Sequence, residues 1–208
     1  LAQLTRLVRP HVAIVTTVAS AHREFFDSEE AIADAKGEIF SGLEPGGVAV
    51  IPYDSPHRDR LIAAARPHAA RIVTFGRAAE ADVTALEVMP KADGTHILAR
   101  LPGAELSFTL SQPGDHWVSN ALGVLAAVQA VGGDLAAAGL ALADMAGLAG
   151  RGARHSLTLA DGGTATLLDE SYNANSASMR ATLSVLAALP AKRRIAVLGE
   201  MRELGAAS

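Results

Sequence analysis

Three short runs of branched apolar residues, "HVAIVTTV" (11–18), "GGVAVIPY" (46–53) and "RIVTFG" (71–76), show no alternation with charged residues. A strand that is apolar on both faces has to be buried on both faces, which is the environment of a parallel sheet covered by helices. The stretches between the runs have helical spacing. "DSEEAIADAKGEIFSGL" (27–43) opens on Ser28 with acids in its first turn, and Ile32, Ala35, Ile39 and Leu43 form an apolar stripe. "SPHRDRLIAAARP" (55–67) is the second such stretch. The resulting β-α-β-α-β order predicts an α/β fold, a parallel sheet with right-handed crossovers.

Residues 82–110 read differently. "DVTALEVMP", "THILARLP" and "AELSFTL" are short strand-like runs separated by Gly, Pro and Asp, which predicts an antiparallel extension of the sheet. Two apolar helices follow, over 116–131 and 134–146. The Gly-rich "GLAGRGARH" (147–155) then separates two compositionally distinct parts, and we divide the chain into residues 1–148 and 149–208. The second part predicts two strands joined at Asp161-Gly162-Gly163, a helix over 176–189 and a further strand at "RRIAVLG" (193–199).

Hydrophobic residues make up 50% of the chain and charged residues 19%, so it is globular. Aromatics are only 4%, which leaves the core to Ala, Leu and Val. A net charge of −4 argues against a nucleic-acid partner. The absence of cysteine excludes disulfides, thiolate catalysis and zinc–thiolate sites, and fits a cytoplasmic setting. No apolar run reaches the roughly 18 residues of a membrane span; the longest is broken at Gly132, Gly133 and Asp134. Both ends read as if cut from a longer protein. No G-x-x-x-x-G-K-[ST], no G-x-G-x-x-G after the first strand and no G-x-S-x-G occurs in the 208 residues.

Against this apolar background, polar clusters stand out. His22 follows the first strand, where it is either a surface histidine or a contact for metal or phosphate. Lys36 lies between Ile32 and Phe40 on its helix. It either snorkels to solvent or, desolvated, becomes a neutral amine that adds carbon dioxide to form a metal-binding carbamate. In "SQPGDHWVSNALGVLAA" (111–127), Asp115 can cap a helix; His116 and Asn120 are then tolerated polar residues or nucleotide contacts at a helix N-terminus. Arg151 is a solvated linker residue or a phosphate ligand. "LLDESYNANSASM" (167–179) packs Tyr172, two Asn and three Ser at a strand-to-helix junction. A cap at Asn175 or Ser176 explains one residue of that block; a ligand loop at the carboxyl end of a strand explains the rest.

Taken together, "TTVASAHREFF", "AIADAKGEIFSGLEPGGVAVIP", "GDHWVSNALGVLAAV", "GRGARH", "LLDESYNANSASM" and "RRIAVLGEMRELG" resemble the Mur ligase family in order and approximate spacing, over essentially the whole chain. "SYNAN" and "AKGEIF" resemble the branch that joins D-alanyl-D-alanine to a UDP-N-acetylmuramoyl-tripeptide in peptidoglycan synthesis. The resemblance implies part of a central ATPase domain followed by the start of a Rossmann-like α/β C-terminal domain. It also implies a monomeric, cytoplasmic enzyme using ATP and Mg²⁺, in which a carboxylate is phosphorylated to an acyl phosphate and attacked by the incoming amine. His22 and a carbamylated Lys36 match the metal-binding and catalytic positions; His116, Asn120, Arg151, Asp169 and Glu170 match nucleotide-binding positions; Tyr172, Asn173 and Asn175 match the substrate loop. The chain departs from the family pattern at Trp117, where Asn is frequent, at Glu170, where Asp is commoner, and at Ser20, Arg23 and Ser176. The family's P-loop, N-terminal UDP-binding domain and most of its C-terminal domain have no counterpart here, so the 208 residues alone are expected to be inactive. Another Mur-type or folylpolyglutamate-type ligase, or a non-catalytic nucleotide-binding module, are the alternative readings.

Overall fold

The three branched apolar runs become neighbouring parallel strands. In the computed structural model, which describes residues 1–19, 26–91 and 94–201, these are β1 (Val12–Ile14), β2 (Val48–Pro52) and β3 (Arg71–Gly76). β2 is central and buried along its whole length. Its alternate residues face opposite ways. Val48 and Val50 join one core cluster, Ala49 and Ile51 the other.

The second cluster lies under α2 (Glu29–Gly37), a 3₁₀ turn (Glu38–Gly42) and α3 (Arg58–Ala65), through Phe40, Leu61 and Ala65. Ser28 caps α2 as its position predicts, accepting from the Ala31 N–H at 3.2 Å, with Glu29 and Glu30 in the first turn. An unforeseen helix, α1 (Ala2–Val8), precedes β1. It docks through Thr5, whose hydroxyl donates to the Ile39 carbonyl at 2.6 Å.

The extension is antiparallel as predicted. β4 (Val83–Lys91) runs parallel to β3, and β5 (Gly94–Leu101) and β6 (Ala104–Leu110) follow as antiparallel neighbours, completing a six-stranded sheet in sequential order. β5 buries every second residue, the mark of a strand with one covered face. The cover is α4 (Asp115–Ala130), with α5 (Leu135–Ala143) against β6. Leu122 and Leu125 of α4 are completely buried on Phe75, Val83 and their neighbours.

Past residue 152, β7 (Ala153–Thr158) and β8 (Thr164–Asp169) form a separate two-stranded hairpin, turning at 161–163, and α6 (Ser176–Ala188) follows. Two expectations need correction. The strand expected over 11–18 is only three residues long. Val15 still donates to the Val50 carbonyl, but Thr16 and Thr17 leave the ladder to line a hollow. The strand expected at 193–199 does not form: Ile195, Val197 and Leu198 are exposed, with no strand beside them among the described residues. A branched apolar run becomes a strand only where a neighbour takes up its backbone groups.

Candidate functional site

β1, β2 and β3 end at the same edge of the sheet, the place where open α/β sheets hold ligands. A hollow of about 640 Å³ opens there. Thr16 and Thr17 enter it after β1, Asp54 and Ser55 after β2, and Phe75 and Gly76 from the end of β3. Asp54 also ties two of these exits together, because its carboxylate accepts the backbone N–H groups of Arg77 and Ala78. α4 contributes His116 and Asn120, one turn apart on one face.

The opposite wall comes from far along the chain. Gly150 and Arg151 of the linker, Glu170, Tyr172 and Asn173 of the loop after β8, and the start of α6 face the sheet edge. On α6 the small residues Ala177, Ser178, Ala181 and Thr182 form two i,i+4 pairs, which keeps this wall thin. The Arg151 guanidinium sits 4.3 Å from the centre of the Tyr172 ring, a cation–π contact that orients both side chains.

A set of backbone bonds clasps linker to loop. The Gly150 N–H donates to Asp169 Oδ2 at 2.9 Å and the Ser171 N–H to Oδ1 at 3.1 Å. Tyr172 N–H donates back to the Gly150 carbonyl at 3.1 Å. The Ser171 side chain, the Ser171 N–H and the Gly150 N–H together hold the Asp169 carboxyl below the usual carboxylate range. Asp169 does not line the hollow; its oxygens are committed to the clasp. Its neighbour Glu170 does line it, and burial and then the Asp169 charge push the Glu170 carboxyl up. Burial lowers the His116 imidazole, with Asp115 opposing in part, which favours its neutral form.

The Asn175 side chain has two duties. Its Oδ1 accepts from the Ala177 and Ser178 N–H groups at 3.0 and 2.9 Å, in a reciprocal capping box with Ser178. That leaves its amide nitrogen for the hollow, which it also lines. Asn173 Oδ1 accepts from the Ala174 N–H at 2.8 Å.

The hollow thus gathers His116, Asn120, Arg151, Glu170, Tyr172, Asn173 and Asn175. Lys36 is not in its lining. It is half-buried on α2, its side chain without a hydrogen bond or ion pair among the described residues, and burial lowers its ammonium pKa. His22 lies outside the described residues. Among the described residues, no three His, Asp or Glu side chains converge on a cation-sized point. Thr16, Thr17 and Asp54 were missed by the sequence reading. The signal for the threonines was two hydroxyls at the downstream end of an otherwise apolar run. Trp117 and Glu170, two of the departures from the family pattern, both line the hollow.

The sequence profile of the Mur ligase middle domain matches residues 1–128. The UDP-N-acetylmuramoyl-tripeptide–D-alanyl-D-alanine ligase of Escherichia coli strain K12 is 38% identical over 203 residues, covering 97% of this chain and 43% of that protein. A MurF crystal structure from Acinetobacter baumannii superposes with a TM-score of 0.89 at 29% identity, over 100% of this chain and 44% of that one. The MurF ligase of Thermotoga maritima, solved in complex with ADP, shares the fold at a TM-score of 0.80 and 23% identity, over 99% of this chain and 45% of that one. The chain therefore spans less than half the length of these relatives.

Proposed function

The chain belongs to the Mur ligase family, and from that premise we propose that it is part of an ATP-dependent ligase that joins D-alanyl-D-alanine to a UDP-N-acetylmuramoyl-tripeptide in peptidoglycan synthesis. The substrate carboxylate attacks the γ-phosphorus of ATP and releases ADP, giving an acyl phosphate. The amine of D-alanyl-D-alanine adds to the acyl carbon, the tetrahedral intermediate expels phosphate, and the nitrogen loses its proton as the amide forms. Such a reaction depends on positioning and on charge stabilisation.

The observation that carries this reading is the hollow itself. Its volume suits a nucleotide-sized ligand, and it stands at the carboxyl ends of parallel strands with polar groups from five separate stretches of chain. His116 and Asn120 serve the base. Arg151, held on Tyr172, offers the phosphates or ribose a fixed guanidinium. Glu170 faces the nucleotide, and Asp169 positions it through the linker clasp. Tyr172, Asn173 and the free amide of Asn175 meet the substrate. Residues 1–148 and 149–208 act as two units closing on the ligand. We place the enzyme in the cytoplasm as a monomer; no helix among the described residues is long and apolar enough to cross a membrane.

His22 and Lys36 are the residues we assign to Mg²⁺. The described residues alone do not build a magnesium site. The lowered pKa of Lys36 supports its conversion, since a neutral amine adds carbon dioxide and sheds a proton to become an anionic carbamate. Phosphate release by the complete enzyme, dependent on ATP, tripeptide and D-alanyl-D-alanine together, tests the activity. In that enzyme His22→Ala is expected to cut turnover by orders of magnitude with the melting temperature unchanged; near-normal turnover removes His22 from the mechanism.

A further inference from the structure

Beneath the linker lies a second cavity of about 20 Å³, enough for one water molecule. Gln112, His116 and Trp117 line it from one side, and Gly152, Arg154 and Glu170 from the other. Gln112 is only 7% exposed. Its amide nitrogen donates to the Met145 carbonyl at 3.1 Å, but its Oε1 is buried and accepts no hydrogen bond from the described residues. A buried acceptor left without a donor is destabilising, so the orphan calls for an explanation.

Gly152, at φ 80, has no Cβ. The point a Cβ would occupy lies 3.2 Å from Gln112 Oε1 and 3.7 Å from Glu170 Oε1, so both oxygens border one open space. Two acceptors cannot satisfy each other. A carboxylic acid can, because it carries an O–H donor that a carboxylate lacks. We propose that Gln112 and Glu170 form a proton-dependent latch under the linker, in which the protonated Glu170 carboxyl donates to Gln112 Oε1.

The proton comes from solvent and returns to it when the latch opens. The latch ties the lead-in to α4 to the end of β8, and so joins the two walls of the hollow. Glu170 borders both cavities, so ionisation frees its carboxylate for the hollow. Burial and the Asp169 charge raise the Glu170 pKa, which keeps the acid form present at higher pH than in an exposed glutamate. The other charged or titratable groups around Glu170 among the described residues are His116 on α4, Arg154 on β7, Asp169 at the end of β8, and Arg151, Tyr172 and Asp54 in the hollow that it also borders. Asp169 ionises below the usual range and His116 is shifted towards its neutral form, so Glu170 is the group whose protonated state is favoured. The latch does not depend on which ligand the hollow takes.

Trp117 is the only tryptophan of the chain and lines the same small cavity. Its fluorescence, followed from acid to neutral pH, is expected to show a transition centred above the ordinary glutamate value. Glu170→Gln should abolish that transition, Gln112→Met should move it down, and His116→Gln should leave it in place. An unchanged midpoint in Gln112→Met overturns the latch, as does a transition that survives Glu170→Gln or vanishes in His116→Gln. Side-chain carboxyl ¹³C NMR of Glu170 in the unsubstituted chain gives a second reading that needs no variant to fold. A midpoint at or below the ordinary glutamate value there also overturns it.

Discussion

Phe75→Ala is expected to lower the stability of the chain by about 3–5 kcal/mol, the range for truncating a fully buried aromatic. Phe75 is 1% exposed at the end of β3 and packs in the cluster that joins the sheet to α4. It also lines the hollow, so the cavity left by its removal merges with the site and does not close over. Urea denaturation reads the loss as a lower midpoint with an unchanged slope. Val197→Ala is the matched control. Val197 is 93% exposed, and truncating it should change stability by less than about 0.5 kcal/mol. Equal effects at the two positions would mean that the sheet–α4 core is not where the stability lies.

Gly150→Val is expected to damage the site while sparing the sheet. Gly150 has φ 71, where a branched residue costs about 1–3 kcal/mol. A Cβ there would stand 2.8 Å from Tyr172 Cβ and 2.9 Å from the Tyr172 nitrogen, so the loop has to move. Its movement breaks the Asp169 clasp and withdraws the ring that holds Arg151. In the complete enzyme, ADP affinity should fall by about tenfold or more, equivalent to about 1.4 kcal/mol. The unfolding of the β1–β6 sheet should be little changed, since the three atoms nearest a Cβ at Gly150 all belong to Tyr172. Calorimetric titration with ADP checks the first statement and thermal melting the second. Full affinity in this variant would mean that the linker wall takes no part in binding.

What the sequence made legible follows from how local each signal is. The spacing within 27–43 and the unbroken run at 46–53 contain their own structural instruction, and Ser28 and β2 stand where expected. The run at 193–199 carries the same strand signal, yet a strand exists only with a partner, and partnership cannot be read within seven residues. Thr16 and Thr17 misled for a related reason: β-branched residues suit a strand, while the turn into the hollow is set by the neighbouring exits. α1 went unread because its anchor, the Ile39 carbonyl, is 34 residues away.

The site divides in the same way. His116 and Asn120 are readable as one helix face. Asp169 and Glu170 are adjacent acids that no local pattern distinguishes; the clasp to Gly150 turns one inward to the backbone and leaves the other facing the hollow. Asn175 was legible both as a cap and as a ligand residue because it serves the cap and lines the hollow. Gln112 gave no signal at all. Its burial is imposed by Met145 and Gly152, which reach it only once the chain has folded back.

The most direct test of the hollow as the nucleotide site is photolabelling of the complete enzyme with an azido-adenine nucleotide, followed by peptide mapping. Label is expected on the peptide that carries His116 and Asn120, and excess ADP should suppress it. Label confined to other faces of the sheet, or label that excess ADP leaves untouched, would contradict the assignment.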